Sequence, residues 1–311
     1  MKIGIALDNR RQEKRVALRP EELRGLAAKN TILVEHNAGL GVGFTDDDYR
    51  RAGALPVSKK QIYSCPLVVK LREPNRAELS LMRPGSTVFS MMHLLNRPSL
   101  AKLLRQYRIN AISMEKIKNH LGERIIEDLH EVGYAGMMKG FEIWGHLPSK
   151  ATVKVMGWGK IAMGAIQAAS RQQARVILLN KREMNEMEKH LPGTDILVDA
   201  LTWPTTLRGK VYLVTREMLK LPRRGAVLLG LVSNPNHKYP IETMRPTTMS
   251  DISYKLDGVT HAACWGWSGL DPENVTRRYS IQIAPMLADI SESGLARLPH
   301  YIRDAVFRGD A

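Results

Sequence analysis

Aromatic residues, cysteines and long apolar runs are scarce or missing in this sequence. Aromatic side chains make up only 6% of the 311 residues, which argues against a surface that stacks nucleic-acid bases. The two cysteines, Cys65 and Cys264, lie far apart and match no metal-binding spacing, so we expect buried thiols rather than a disulfide or a zinc site. No segment reaches the roughly eighteen consecutive apolar residues typical of a transmembrane helix. The sequence therefore predicts a globular protein without a membrane segment or a metal centre.

Acidic residues are also in short supply. The chain has 31 acidic and 46 basic residues, which gives a net charge of +15 and a pI near 9.9. This charge suits nucleic acid, but it also suits an anionic cofactor and carboxylate substrates. The basic residues are spread along the chain without a long Lys/Arg block, which argues against nucleic acid as a partner. The apolar run at residues 1–8 is too short for a signal peptide, so we expect a cytoplasmic protein.

The sequence does contain a regular alternation of short apolar runs and helix-like stretches. Such alternation predicts parallel β-sheets covered by helices, here in a two-domain α/β protein with a cleft between the domains. Residues 1–125, joined by a C-terminal helix at 272–311 that Pro285 interrupts or kinks, form the predicted substrate domain. Residues 126–271 form a predicted Rossmann-like dinucleotide-binding domain. Strands are expected at residues 2–7, 31–35, 66–71, 87–91, 109–114, 152–156, 175–179, 195–200, 226–230 and 259–264.

The most informative segment follows the apolar run at residues 152–156. That run ends on Gly157 and Gly159, the first two glycines of the pattern G-x-G-x-x-A, and a helix-period pattern comes next. A glycine turn in this setting brings backbone N–H groups to a helix N-terminus, where a pyrophosphate is favoured by the donors and by the helix dipole. We therefore predict cofactor contacts from Gly157, Gly159, Lys160 and Ile161. The alternative is a glycine turn in an α/β protein that binds no nucleotide.

The residues after the second strand of this domain indicate which nucleotide it binds. An NAD enzyme carries an Asp or Glu there, which accepts a hydrogen bond from the adenosine ribose 2′-hydroxyl. This chain has Asn180, Lys181 and Arg182 instead. Because the 2′-phosphate of NADP(H) needs cations and donors rather than a carboxylate, we predict NADP(H) as the cofactor. The alternative is a solvated loop in a basic protein.

Several segments, in order along the chain, resemble the alanine dehydrogenase/transhydrogenase family. They include Arg15-Val-Ala-Leu-Arg-Pro20, Val69-Lys-Leu-Arg-Glu-Pro74, Phe89-Ser-Met-Met-His93 and Glu131-Val-Gly-Tyr-Ala-Gly136, together with the glycine turn. The short chain and compact second domain look most like the N5-(carboxyethyl)ornithine synthase branch. The resemblance implies an oxidoreductase acting on CH–NH or CH–NH2 groups, and a homo-oligomer is a further expectation because the family is often oligomeric.

The resemblance also implies roles for individual residues. Arg15 would hold the substrate carboxylate, and His93 would exchange a proton near neutral pH. The family's catalytic lysine is replaced by Arg72, which stays protonated, while Lys70 is retained on the same strand. Asn234 stands where the family has a catalytic aspartate, and an amide cannot act as a base. Both replacements depart from the alanine dehydrogenase pattern.

Two tryptophans precede the last helix. In the family this region lies by the nicotinamide, so Trp265 and Trp267 would shape a pocket or exclude water. The alternative for side chains of this size is core packing.

These observations lead to one main hypothesis and two alternatives. The main hypothesis is an NADPH-dependent reductive condensation of a 2-oxo acid with an amino-acid amine, which gives a secondary amine. Arg15 and Arg72 would hold carboxylates, while His93 and Lys70 would manage protons. The first alternative is oxidative deamination of the alanine dehydrogenase type with NAD(P). The second is a protein that binds a nucleotide or metabolite without catalysis.

Overall fold

The computed structural model describes residues 1–8, 13–232 and 238–310. The chain divides into two compact units. Unit 1 comprises Met1–Glu127 and Pro272–Ala311, and unit 2 comprises Asp128–Asp271. The roles that the sequence predicts for two such regions, substrate binding and dinucleotide binding, remain predictions. Within the described ranges, no helix combines the length and the apolar character needed to cross a membrane.

Unit 1 is built on a seven-stranded sheet in the order β13-β6-β5-β4-β1-β2-β3. Strands β1 to β6 are parallel, and β13 is an antiparallel edge strand on β6. The strands are β1 (Lys2–Ile5), β2 (Thr31–Glu35), β3 (Leu55–Val57), β4 (Leu67–Arg72), β5 (Thr87–Met91), β6 (Asn110–Ser113) and β13 (Val306–Phe307).

Both faces of this sheet are covered, which explains why its strands are continuous apolar runs. In β4, Leu67, Val68 and Val69 are all fully buried. Leu67 and Val69 belong to one hydrophobic cluster, whereas Val68 belongs to a second cluster. Parallel strands buried on both sides require apolar residues at successive positions.

The helices of unit 1 come from both ends of the chain. The long helix α10 contributes Val275, Ile283 and Leu287 to the same hydrophobic cluster as β1 and α1. It runs from Pro272 to Ser293 with Pro285 inside it, so the proline does not end the helix. The helices are α1 (Pro20–Ala27), α2 (Asp46–Arg51), α3 (Lys59–Tyr63), α4 (Arg76–Leu79), α5 (Pro98–Tyr107), α10 (Pro272–Ser293) and α11 (His300–Arg303).

Unit 2 has a six-stranded sheet in the order β11-β12-β10-β9-β7-β8. Every pairing is parallel except that of the edge strand β11 with β12. The strands are β7 (Thr152–Met156), β8 (Arg175–Leu179), β9 (Ile196–Asp199), β10 (Val227–Gly230), β11 (Tyr254–Leu256) and β12 (Val259–Ala262). The helices are α6 (Leu129–Trp144), α7 (Lys160–Arg171), α8 (Lys181–Asn185) and α9 (Met187–His190).

Helices α6 and α7 approach each other closely at two glycines. A β-carbon on Gly164 would lie 2.0 Å from the carbonyl oxygen of His130, and one on Gly133 would lie 1.9 Å from that of Ile161. Only glycine leaves room for this contact, which fixes α7 behind the glycine turn. The predicted fold class, two α/β units with mainly parallel sheets and a Rossmann-like arrangement, is confirmed. The edge strands β3, β11 and β13 were not predicted.

Candidate active site

Arg15 and Arg72 both donate hydrogen bonds to Glu13, a residue that the sequence analysis did not single out. Glu13 accepts hydrogen bonds from Nε and Nη2 of Arg15 at 2.7 and 2.6 Å, and from Nε of Arg72 at 3.2 Å. Glu13 and Arg15 are both buried. Burial opposes ionisation of Glu13, but the hydrogen bonds and charge of Arg15 and the charge of Arg72 lower its pKa to about 2. Glu13 is therefore a permanent anion that orients both guanidinium groups.

A second buried carboxylate, Asp8, follows β1 at the same edge of the sheet. Its Oδ2 accepts from the backbone N–H of Arg72 at 2.7 Å, and its Oδ1 has no hydrogen-bond partner among the described residues. Burial raises the pKa of Asp8, against the charge of Lys70 and the hydrogen bond from Arg72. Since β1 and β4 are neighbouring parallel strands, their carboxyl ends bring these groups together.

His93 follows β5 and lies close to Arg72. Its backbone is left-handed, with a φ of 49°, and Oε1 of Glu115 accepts its backbone N–H at 2.6 Å. Burial lowers the pKa of His93; Glu115 opposes the shift, and Arg97, Arg124 and Arg72 add to it. The imidazole is therefore neutral near pH 7, the form that can accept a proton.

Lys70 occupies a different environment. Its ammonium donates to Oε2 of Glu78 at 2.8 Å, and both side chains are almost fully buried. Lys59 also contacts Glu78, and the hydroxyl of Tyr63 lies 3.4 Å from the Lys70 ammonium. Removal of one partner from a buried pair of this kind costs about 3–5 kcal/mol of folding free energy.

The structure therefore brings Arg15 and Arg72 together on Glu13, with His93 just after the neighbouring strand β5, while Lys70 contacts other partners. The strand register shifts between Val69 and Arg72, which interrupts the simple alternation of faces in β4. Lys70 is directed to Glu78 and Arg72 to Glu13. The catalytic and substrate roles of all four residues remain predictions.

In unit 2, the glycine turn leads into the N-terminus of α7. Gly157 has a φ of 120°, and a β-carbon there would lie 2.7 Å from the carbonyl oxygen of Ala200, so only glycine fits. Gly159 precedes α7 without a side-chain cap, and the space beside it is open. Lys160 is exposed and Ile161 half-buried in the first turn of α7. A helix N-terminus without a side-chain cap suits an anion.

The predicted 2′-phosphate residues lie at the end of β8. The side chain of Asn180 accepts from the backbone N–H groups of Arg182 and Glu183 at 2.9 and 3.0 Å, and so caps α8. Lys181 and Arg182 are exposed at the start of α8. The cations are thus at the surface, while the amide of Asn180 is engaged in helix capping.

Asp199 is a further buried acid of unit 2. It ends β9, the strand beside β7, and is fully buried. Its Oδ1 accepts from the backbone N–H of Leu201 at 3.1 Å, and its Oδ2 has no partner among the described residues. Burial raises its pKa to about 7. In the sheet, β8 lies on one side of β7 and β9 lies on the other, so the strand order reverses direction at β7. In open α/β sheets, ligands bind in the crevice at such a switch point.

The remaining sequence predictions concern Asn234 and two tryptophans. Asn234 lies outside the described residues. Trp267 is buried, and its Nε1 donates to the carbonyl oxygen of Gly230 at 2.9 Å, which is core packing. Trp265 is 53% exposed.

The sequence analysis did not single out Asp8, Glu13 or Glu115. One signal was present, since polar residues that directly follow predicted parallel strands meet at one edge of the sheet. Asp8 follows β1 and Glu115 follows β6. Glu13 lies two residues before Arg15 and gave no periodic signal.

Two family models match separate parts of the chain. A family model described as alanine dehydrogenase/PNT, N-terminal domain, matches residues 4–127. A second, described as alanine dehydrogenase/PNT, C-terminal domain, matches residues 179–306. The chain belongs to the alanine dehydrogenase/PNT family. The prediction of an NAD(P)-dependent oxidoreductase acting on CH–NH or CH–NH2 groups is thereby confirmed, and the family binds a nicotinamide nucleotide.

Individual members of the alanine dehydrogenase/PNT family are similar over nearly the full length. Alanine dehydrogenase 1 of Staphylococcus aureus strain NCTC 8325 is 27% identical, over 95% of this chain and 89% of the relative. The enzyme of the same name from strain Mu50 is 25% identical over the same shares. A solved L-alanine dehydrogenase superposes with a TM-score of 0.87 at 24% identity, covering 100% of this chain and 96% of that one. A transhydrogenase from Sinorhizobium meliloti gives 0.81 at 21%, with 94% and 95% covered.

The solved structures establish the fold, and the specific resemblance to the carboxyethylornithine synthase branch finds no support among these relatives.

Proposed function

We propose that the protein interconverts a 2-oxo acid and the corresponding amino acid, in the manner of an alanine dehydrogenase. The observation that carries this proposal is the cluster of Arg15, Glu13 and Arg72 beside His93 at the carboxyl edge of the unit 1 sheet. The names of the relatives add support, since those similar over 95% of the chain are alanine dehydrogenases. This reaction is better supported than the reductive condensation that the sequence first suggested.

The residues of the cluster divide the work of binding and proton transfer. Arg15, held by Glu13, presents a planar guanidinium suited to the substrate carboxylate. Arg72 stays protonated and polarises the carbonyl or imine, but it cannot carry the proton. That task falls to His93, whose lowered pKa leaves it neutral. The nicotinamide supplies or accepts the hydride when the nucleotide is bound.

We further propose NADP(H) as the nucleotide. Support comes from two exposed cations, Lys181 and Arg182, where an NAD enzyme would carry a carboxylate. The side chain of Asn180 is engaged in capping α8, so the charge that recognises a 2′-phosphate falls on the two cations. The glycine turn of unit 2 fits the pyrophosphate of either nucleotide.

A double substitution tests the choice of nucleotide. Lys181→Ala/Arg182→Asp is expected to weaken NADPH binding by at least about tenfold, or ~1.4 kcal/mol, and to change NADH binding little. Tryptophan quenching would follow both titrations. Lys150→Ala/Arg224→Asp makes the same charge change before the amino ends of β7 and β10 and serves as control. Equal weakening by both variants would contradict the assignment.

The second candidate function is the NADPH-dependent condensation of a 2-oxo acid with an amino-acid amine. The observation that favours it is Arg72 at the position where alanine dehydrogenases carry a lysine. A change of residue at this position can accompany a change in the nitrogen donor that the enzyme uses. A condensing enzyme would oxidise NADPH with pyruvate and ornithine or lysine, and a deaminating enzyme would do so with pyruvate and ammonia alone.

An activity assay with a histidine variant tests the proposal. NADPH and NADH would each be supplied with pyruvate and either ammonia, ornithine or lysine. His93→Asn is expected to lower kcat by roughly 100-fold, within the range for loss of a general acid–base. Asparagine tolerates the left-handed backbone, so folding should persist. His36→Asn, at an exposed histidine whose Nδ1 lies 2.7 Å from Oδ2 of Asp46, is the control.

The assay also separates catalysis from mere binding. Turnover with ammonia that depends on His93 supports the deamination reaction. Turnover only with an amine favours the condensation. Nucleotide binding without turnover of any pair would reject both reactions and favour a protein that binds a nucleotide without catalysis.

A further inference from the structure

A large basic cavity opens beside His93 in unit 1. Its volume is about 1010 Å³, and its lining includes Lys116, Lys118 and Arg124 as well as His93. Ligand pockets of ~300–1,000 Å³ enclose whole drug-sized molecules, so this space far exceeds what the methyl group of alanine needs. A substrate that reaches His93 therefore has room for a longer side chain.

Two of the basic residues face each other across a hairpin. Lys118 and Arg124 form an antiparallel bridge, and the hairpin is closed by hydrogen bonds from Ile125 N to Ile117 O and from Asn119 N to Glu123 O. Like charges directly opposite each other on paired strands destabilise the pairing. An anion held between the two exposed side chains would relieve this repulsion.

The two acids that line the cavity offset these cations only in part. No carboxylate of the described residues forms an ion pair with Lys116, Lys118 or Arg124. Glu115 lines the cavity, but its two oxygens accept from two backbone N–H groups. Asp304 is the other acid of the cavity and is exposed. The cavity thus carries a surplus of positive charge beside the proton-transferring imidazole.

We propose that this cavity binds a distal carboxylate of the substrate, so that the protein acts on 2-oxo dicarboxylic acids in preference to pyruvate. The inference rests on the proposed function and adds the substrate class to it. Arg15 holds the carboxylate next to the reacting carbon, and Lys118 and Arg124 hold the one at the far end. Three cations and two carboxylates in the lining leave one excess positive charge, which matches a single carboxylate better than a phosphate dianion.

Two measurements on the whole protein test the proposal. The first compares kcat/KM for oxaloacetate and 2-oxoglutarate with that for pyruvate, using ammonia and the preferred nucleotide. The second measures binding of glutarate and butyrate by calorimetry without nucleotide, which needs no turnover. Both are repeated with Lys118→Gln/Arg124→Gln. The control Lys102→Gln/Arg83→Gln removes two exposed charges of unit 1 that do not line the cavity.

We expect a dicarboxylate preference of at least about tenfold, which the cavity pair variant abolishes and the control retains. Lys118→Arg/Arg124→Lys keeps both charges and should retain the preference, which guards against a folding defect. Glutarate that binds no better than butyrate, or a preference unchanged in Lys118→Gln/Arg124→Gln, would overturn the proposal. Pair-dependent glutarate binding with no turnover of any oxo acid would support the anion site and reject the proposed reaction.

Discussion

Single residues in this protein owe their chemistry to neighbours far away in sequence. Arg72 and Lys70, two positions apart, have different ion-pair partners, Glu13 for Arg72 and the buried Glu78 for Lys70. The ion pair with Glu78 is sufficient to explain why Lys70 is retained, since a buried charge needs a partner. A role in proton transfer would require this ion pair to open. Arg72 is the better candidate for contact with substrate.

Asp199 allows a prediction about stability and pH. Below its ordinary pKa of 3.8 the carboxyl is protonated in both the folded and the unfolded chain. Between 3.8 and about 7 only the unfolded chain ionises, so this residue makes the fold less stable as pH rises through that window. Asp199→Asn keeps the acceptor for the N–H of Leu201 and is expected to stabilise the protein at pH 8 by roughly 1–3 kcal/mol.

Thermal unfolding at pH 4 to 8 checks this prediction. As pH increases, the melting temperature of Asp199→Asn should rise above that of the unmodified protein by a growing difference. Asp251→Asn, at an exposed position, is the control and should follow the unmodified protein. Parallel curves for both variants would show that Asp199 is ionised in the folded state.

At the scale of elements, the carboxyl edge of each sheet is where the candidate sites form. In unit 1 it gathers Asp8, Arg72 and His93, and in unit 2 it gathers the glycine turn and Asp199. The turn is held in position by the close packing of α6 on α7, in which Gly133 and Gly164 take part. Larger residues at these glycines would separate the helices and move the start of α7.

Gly164→Ala tests that packing. A new β-carbon would meet backbone, the carbonyl oxygen of His130, which cannot move without shifting α6. We expect a loss of about 1–3 kcal/mol in the free energy of unfolding, the usual cost of overpacking. Gly25→Ala in α1 is the matched control, because nothing lies within 4 Å of the new carbon. It should stabilise the protein by roughly 0.5–1 kcal/mol through helix propensity. Urea unfolding measures both changes. If the free energy of unfolding changed in the same direction in both variants, this account would be contradicted.

Much of this element structure was accessible from the sequence. The predicted runs at residues 31–35, 87–91, 152–156 and 175–179 coincide with β2, β5, β7 and β8, because each is a continuous run of largely apolar residues. The edge strands β3, β11 and β13 were missed because they have only two or three residues, whereas the edge strand β8 has five and was predicted. Of the candidate site, motif residues were predictable, whereas Glu13 and the hairpin cations were not, since no periodicity marks them.

At the scale of the whole molecule, the net charge of +15 is the dominant unusual property. An excess of one sign destabilises the compact state through self-repulsion, and it also raises the local concentration of anionic ligands. The proposed function accounts for part of this charge, because both the nucleotide and the oxo acid are anions. A homo-oligomer remains a prediction, which light scattering would test.

Salt dependence provides a measurement at this scale. Raising NaCl from about 20 to about 200 mM shortens the screening length from roughly 20 to 7 Å, which weakens repulsion between exposed cations. We expect the melting temperature of the free protein to rise by a few degrees and the affinity for NADPH to fall. Sodium chloride replaced by an uncharged osmolyte of equal osmolality is the control. A melting temperature that fell with salt would indicate that attractive ion pairs outweigh the repulsion.

The sequence by itself determined the α/β class, the glycine turn and the family, because each is written in residues adjacent along the chain. The three-dimensional fold alone decided which distant groups meet: Glu13 between two arginines, Lys70 against Glu78, and Lys118 opposite Arg124 beside His93. Periodicity specifies which face of an element is buried. It does not specify the partner of a charged side chain, because that depends on strand order, register and loops that return from elsewhere in the chain.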